Sequence, residues 1–259
     1  MPTGASRPWA AQRDALMRSQ VLEVLTRKLE ARSALSIADR GILLGLPITV
    51  RRYEARKDII PEGRHNDQCC IVIEGLLCRY KVIKDGGRQI LSLHMPGDIP
   101  DLQSIHIDVM DHTVGTISAA TVGFIPHSAI KQALQHSREL SRAFWLEVLI
   151  ETSILRGWTA SIGKRSAPAR IAHFLCEYIT RMRSIGLSDG MTCVMPLTQT
   201  EIGDALGLST VHINKKLREL RRAKLVELRA GQLRVLNWRE LSDRADFDPN
   251  YLHLPLLKK

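Results

Sequence analysis

LTQTEIGDALGLSTVHINKKLREL, Leu197 to Leu220, reads as two short helices separated by a glycine turn. Thr198 and Glu201 have the T-x-x-E spacing of a capping box, which starts a helix by satisfying its free N–H groups. Ile202, Ala205 and Leu206 follow at helical spacing and give that helix one apolar face. Gly207 breaks it, where the chain needs a conformation that a side chain obstructs. Ser209 then caps a second helix, in which Val211, Ile213, Leu217 and Leu220 supply the apolar positions. His212, Asn214, Lys215, Lys216 and Arg218 are its polar complement. This is the geometry of a helix-turn-helix, whose second helix fits a major groove. An ordinary helical hairpin with a solvated basic face shares the pattern, so the flanking sequence has to separate the two.

After the second helix come Arg221-Arg222-Ala223-Lys224 and then LVELRAGQLRVLN. Val226 and Leu228 alternate with Glu227 and Arg229, and Leu233 and Val235 flank Arg234, with Ala230-Gly231-Gln232 as the turn between. A short hairpin with one buried face is predicted, where a winged helix-turn-helix carries its wing. Between Val211 and Lys224 there are six Lys or Arg and one acid, Glu219. A cationic stripe beside a reading helix is an electrostatic footprint for phosphate.

The 259 residues suffice for one large or two modest domains, each with a core. A formal charge of +10 suits an anionic partner without choosing among nucleic acid, membrane surface and acidic protein. No apolar run reaches the length of a membrane span, and the start lacks a secretion signal, so a cytoplasmic protein without a membrane partner is expected. Cys69, Cys70, Cys78, Cys176 and Cys193 show no spacing of a zinc or iron–sulfur site, and no metal is expected. Cys69-Cys70 lies in the apolar run CCIVI and reads as buried small hydrophobes. Cys193 is a weaker candidate for a redox-sensitive thiol, subject to its exposure.

Residues 1–10 read as disordered, followed by a helix from about Gln12 to Glu30 on Leu16, Val21, Leu22, Val24, Leu25 and Leu29. Ser36-Ile37-Ala38-Asp39 starts a second helix that ends near Gly45-Leu46-Pro47. From Ile48 to about Ile125, short apolar runs recur between turn signals, among them Lys84-Asp85-Gly86-Gly87 and Pro96-Gly97-Asp98. Many short strands with glycine corners indicate a small antiparallel roll. The segment from about Glu139 to Lys164 sets Phe144, Leu146, Val148, Leu149, Ile154, Leu155, Trp158 and Ile162 along one long helix. That is more apolar surface than one helix hides against a small roll, and pairing with a second copy or packing within the chain answers it. Ala167-Pro168 marks a break before RIAHFLCEYITRM, and the closing FDPNYLHLPLLKK fits none of these patterns. The expected organisation is N-terminal helices over 1–47, a roll over 48–137, a dimerisation helix over 138–165, a winged helix-turn-helix over 166–240 and a tail over 241–259.

A roll, a long helix and a C-terminal winged helix-turn-helix together resemble the Crp/Fnr family of bacterial transcription regulators. The resemblance runs from about Ile48 to Leu236 and rests on Pro96-Gly97-Asp98, Arg170-Ile171-Ala172 and the Leu197–Leu220 stretch. It implies an α+β fold: an antiparallel β-roll of cyclic-nucleotide-binding type, a long dimerisation helix and the winged helix-turn-helix. It also implies a homodimer on a two-fold-symmetric operator in double-stranded DNA, with RNA polymerase as partner if the protein activates. Thr210, Val211, Asn214 and Lys215 then take the positions that face base edges, within a reading helix opened by Ser209. Thr198 and Gln199 resemble phosphate contacts at a helix N-terminus, and His212, Lys216 and Arg218 complete the DNA-binding set. Many relatives carry glutamate where Val211 stands; valine packs on a thymine methyl instead of accepting from cytosine.

A second departure concerns the effector. Relatives that bind cyclic nucleotides hold the ribose with a Gly-Glu pair and the phosphate with an Arg-Ser or Arg-Thr pair. This chain reads Asp98-Ile99-Pro100-Asp101-Leu102-Gln103 and Asp111-His112-Thr113-Val114 there, and no arginine occurs from Leu91 to Ser137. A guanidinium is the usual answer to a buried phosphate, so the roll is expected not to respond to cyclic AMP. A cyclic-nucleotide-responsive activator is the alternative. Asp101, Gln103, His106 and His112 are candidate lining for another ligand, or polar residues at the edge of a core. The cysteine cluster of oxygen-sensing relatives is absent, and no cofactor is expected. Outside the family, an enzyme or small-ligand-binding protein is disfavoured by the absence of a Gly-rich phosphate loop, G-x-S-x-G or H-E-x-x-H.

Overall fold

The computed structural model describes residues 21–254; the expectations for residues 1–20, including disorder over 1–10 and the place of Leu16, lie outside them. The chain is helical over 21–30 (α1), where Val21, Leu22, Leu25 and Leu29 are buried at i, i+1, i+4 and i+8 spacing. Helix α2, Ile37–Leu44, starts on a capping box between Ser36 and Asp39. Asp39 also accepts from the hydroxyl of Ser137, which caps a later helix, so one buried carboxylate fixes two helix starts.

Seven strands build the roll: β1 Thr49–Tyr53, β2 Asp58–Ile60, β3 Gln68–Glu74, β4 Leu77–Val82, β5 Arg88–His94, β6 Thr113–Thr116 and β7 Ala120–Pro126. They pair antiparallel in two sheets of order β1-β7-β3 and β2-β6-β4-β5. Ile60, Cys70, Val72, Leu77, Val114, Val122 and Phe124 fill the space between the sheets. Helix α3, His127–His136, leads into α4, Arg138–Lys164, a 27-residue helix. Helix α5, Ala167–Ser184, carries Pro168 in its first turn, where a missing N–H costs nothing.

The C-terminal unit continues with β8 Thr192–Val194, α6 Gln199–Leu206, α7 Thr210–Arg222, β9 Val226–Arg229 and β10 Gln232–Val235. The predicted hairpin is present, and β8 joins it in the order β8-β10-β9. Cys193, in that added strand, is buried, and burial pushes its thiol up to about 12. A redox-sensitive thiol needs exposure and a lowered pKa, so that expectation fails. All five cysteines are free and buried.

The expected boundary at residue 240 cuts through a helix, α8, Trp238–Ala245. Asn237 caps it through Glu240 N, and Leu241 and Ala245 bury one face. A 3-10 turn, Pro249–Leu252, then returns to α4 and α5. Tyr251 lies against Gly157, where an added Cβ would meet its ring at 3.1 Å, and donates to Glu177 Oε2 at 2.6 Å. Tyr251 also stacks on His173, with ring centroids 5.7 Å apart. The closing segment is therefore part of the C-terminal unit up to Leu252, which is fully buried.

Roll and C-terminal unit share a core, in which Cys78, Ile90 and Leu93 meet Trp158, Phe174 and Ile202. Arg88 pairs with Asp204 at 2.7 Å and Arg56 with Glu201 at 3.1 Å, holding α6 to the roll. Behind them Arg181 of α5 donates to Leu93 O at 2.8 Å and lies 3.2 Å from Asp98 of the Pro-Gly-Asp corner.

Candidate nucleic-acid interface

Thr198 and Glu201 form the capping box that starts α6, and Ser209 caps α7 through His212 N. Gly207 adopts φ 63°, the left-handed region that glycine enters at low cost. At Gly203 an added Cβ would stand 2.4 Å from Leu208 O, so only glycine lets the turn approach α6 this closely. Arg170 donates to Leu206 O at 2.7 Å and to Ile162 O at 2.6 Å. One guanidinium thus closes the ends of α6 and α4 together, satisfying carbonyls the helices leave free.

Ile213, Leu217 and Leu220 are buried at i, i+4 and i+7, which leaves the opposite face of α7 to solvent. Val211, expected among the apolar positions, is 80% exposed because it sits two residues off that stripe. Thr210, Val211, Asn214, Lys215 and Arg218 line one shallow groove with Gln199 of α6. Lys215, Arg218, Arg221, Arg222 and Lys224 have no ion-pair partner among the described residues, whereas Lys216 is held by Glu219 at 2.8 Å. Asn214 donates to Gln199 Oε1 at 2.8 Å, which orients both side chains across the helix pair. Thr198 is exposed, but its N–H and hydroxyl both donate to Glu201 Oε2 at 2.7 and 2.8 Å. The Thr198 hydroxyl is thereby committed within the capping box. His212 is half-buried and Ser209 exposed at the helix start.

Comparison with known proteins follows this division of the chain. Residues 50–137 match the cyclic nucleotide-binding domain, and residues 169–244 match the Crp-like helix-turn-helix domain. The chain belongs to the Crp/Fnr family. The nitrogen fixation regulation protein FixK of Rhizobium meliloti is 24% identical over 188 residues, 71% of this chain and 80% of the relative. The transcriptional activator protein FnrL of Cereibacter sphaeroides is 25% identical over 184 residues, 69% and 72% of the two chains. The structure of FixK2 from Bradyrhizobium japonicum superposes with a TM-score of 0.69 at 24% identity, covering 76% of this chain and 97% of that one. The protein is a Crp/Fnr-type transcription regulator with a DNA-binding helix-turn-helix, and its relatives are regulators, not enzymes. No helix among the described residues is long and apolar enough to cross a membrane.

In this Crp/Fnr regulator the polar residues of the roll are committed to one another. Asp101 is fully buried and accepts from Cys70 N and Asn66 Nδ2, both at 2.8 Å; burial pushes its carboxyl up to about 7. Gln103 and His112 come together at 3.4 Å, and His112 also meets Asp111 at 2.7 Å. Burial, and then Arg79, lower the His112 imidazole below its ordinary range. His106 is exposed. Of the four candidate effector residues, the structure therefore joins only Gln103 and His112. Sequence reading missed the guanidinium beside them: Arg79, on β4, donates to Gln103 Oε1 and Glu151 Oε2 at 3.1 Å and to Pro100 O. No local signal marks it, because β4 lies outside the stretch where the family keeps its phosphate arginine. Glu151, its partner on α4, occupies the space with it.

Proposed function

We propose that the protein is a homodimeric regulator that reads a two-fold-symmetric operator and does not respond to cyclic AMP. The exposed face of α7 carries this reading: Thr210, Val211, Asn214, Lys215 and Arg218 on one groove, with cations free of partners. Lysines and arginines neutralise phosphates and supply a salt-dependent affinity. In this reading Val211 meets a thymine methyl and Lys215 a guanine O6/N7 pair. Lys215→Ala should weaken binding to a selected operator by about 1–3 kcal/mol and relax specificity at one base pair. Gel shifts on single-base operator variants read this directly; an equal loss on every sequence makes Lys215 a phosphate contact.

Support for the homodimer comes from α4, which leaves Trp145, Leu149 and Leu155 63%, 46% and 47% exposed. Two such helices side by side cover these rings and methyls and set the two α7 helices about 34 Å apart, one turn of duplex. If the protein activates, as FnrL is named to do, RNA polymerase is its further partner.

The loss of cyclic-nucleotide response rests on Arg79. Its charge is already met by Glu151, and Gln103 and Pro100 take its remaining donors. A cyclic phosphate would have to displace a carboxylate from a guanidinium that is only 14% exposed. The same arginine is what favours the second reading, a cyclic-nucleotide-responsive activator with a relocated clamp. Calorimetry of the full chain with cyclic AMP and cyclic GMP separates them: no heat is expected at micromolar concentrations, and micromolar binding would establish the second reading.

A further inference from the structure

A cavity of about 530 Å³ lies outside the roll's interior, where α1, the Pro96-Gly97-Asp98 corner, the middle of α4, the end of α5 and the C-terminal turn converge. This is the size of a small-molecule site, which commonly occupies a few hundred to about 1,000 Å³ at a junction between domains. Leu93 of β5, Ile150 and Ile154 of α4, Leu187 just after α5 and Leu252 of the C-terminal turn give it apolar walls. The C-terminal turn is a fixed wall, because Leu252 is fully buried and Tyr251 is tied to Glu177.

Most of the charged residues around the cavity are spent on each other; Arg27 and Glu74, both exposed at its rim, have no ion-pair partner among the described residues. Lys28 bridges Asp98 at 2.6 Å and Glu147 at 2.7 Å, and Arg32 closes on Glu147 at 2.8 Å. Arg181 lies 3.2 Å from Asp98, and Glu151 is paired with Arg79. Ser92 and His94 satisfy one another at 2.8 Å. A ligand charge set deep in the cavity would have to break one of these largely buried pairs and strand its other half, which is strongly unfavourable. An uncharged ligand leaves every pair intact and covers the apolar walls.

We propose that this cavity is a ligand site for an uncharged and largely apolar small molecule. Its walls belong to the roll, to α4 and to the DNA-binding unit. A molecule bound there therefore favours one relative placement of the three, by as much as its affinities for the alternatives differ. This regulatory half rests on the reading of the chain as an operator-binding regulator; the site itself does not.

The test uses the full chain without DNA and titrates N-phenyl-1-naphthylamine, an uncharged probe that fluoresces in apolar surroundings. Saturable binding of one probe per chain is expected, weakened about tenfold or more by Ile154→Trp and by Leu187→Trp, which fill the space from two different segments. Leu187 is 49% exposed at the mouth, so its larger replacement keeps the test alive should Ile154→Trp fail to fold. Its sulfonated analogue, 1-anilinonaphthalene-8-sulfonate, is expected to bind more weakly through the same walls. Absence of saturable binding, binding that ignores both replacements, or tighter binding of the sulfonate each overturn the assignment. With a selected operator in hand, saturating probe should shift the operator affinity of the wild type and of neither variant; an unchanged wild-type affinity overturns the regulatory half. Because the titration contains no DNA, its failure is separate from any failure to bind an operator.

Discussion

Replacing Trp145 and Leu149 together by glutamate is expected to yield a monomer and to lower operator affinity by about two to four orders of magnitude. The two side chains lie one helical turn apart on α4, and both stay exposed among the described residues. Burying a large apolar side chain contributes about 1.5–3 kcal/mol, and a two-fold interface gains this from both copies. Glutamate removes the gain and, across a symmetry axis, sets like charges against each other. The DNA-binding unit itself is untouched, because neither Trp145 nor Leu149 belongs to the core cluster that holds it. Each half-site would then bind alone, without the effective concentration that a linked second unit provides. Sedimentation and gel shifts read both effects; a variant that stays dimeric at micromolar concentration would show that this face is not the interface.

Arg181→Ala should destabilise the protein by about 3–5 kcal/mol, the usual result of removing one partner from a buried charge network. Arg181 sits between Asp98 of the roll and Glu177, with its side chain 13% exposed. Glu177 accepts from Trp158 Nε1 at 3.0 Å and from the Tyr251 hydroxyl, so α4, α5 and the C-terminal turn meet on one carboxylate. The variant keeps Lys28 on Asp98 but leaves Glu177 with neutral donors alone. The loss should depend on pH. Burial alone would raise the Asp98 carboxyl, but Lys28 and Arg181 hold it well below the usual carboxylate range. A carboxylate depressed in the folded state contributes stability that is complete above its unfolded value of about 3.9 and lost as pH falls through the folded value. The variant has less of this to lose, so its stability and that of the wild type should converge below about pH 4. Urea denaturation across pH 2 to 7 measures the difference; a gap that stays constant would remove Asp98 from the account.

The helix-turn-helix was legible because its signals are local. Thr198, Glu201, Gly207 and Ser209 each act within four residues of the backbone groups they satisfy or release. The roll was legible for a similar reason: Lys84-Asp85-Gly86-Gly87 forms a turn whatever lies across the sheet, and Gly86 takes φ 87° there. What the sequence concealed depends on distance along the chain. Arg79 and Glu151 are separated by 72 residues, and Asp98 and Arg181 by 83. Neither pair has a spacing that a helix or strand period reveals. Glu201 shows the same limit at a recognised residue, since the capping carboxylate is also the partner of Arg56 in the roll. Helix α8 is different: Asn237 and Glu240 carry a capping signal that was open to reading but fell across an assumed boundary. The closing Tyr251 could not be placed without Gly157, whose missing side chain makes room for its ring.

Half-site spacing tests the central claim most directly: two copies present α7 to successive major grooves on one face of the same duplex. A symmetric operator is selected from random duplexes, and affinity is then measured after inserting five or ten base pairs at its centre. Five base pairs turn one half-site to the far side of the helix, about half of the 10–10.5 base pairs per turn. The account predicts that the five-base-pair insertion abolishes cooperative binding and leaves only the weak affinity of a single half-site. Undiminished affinity at that spacing, or a selected site with no two-fold symmetry, would contradict it.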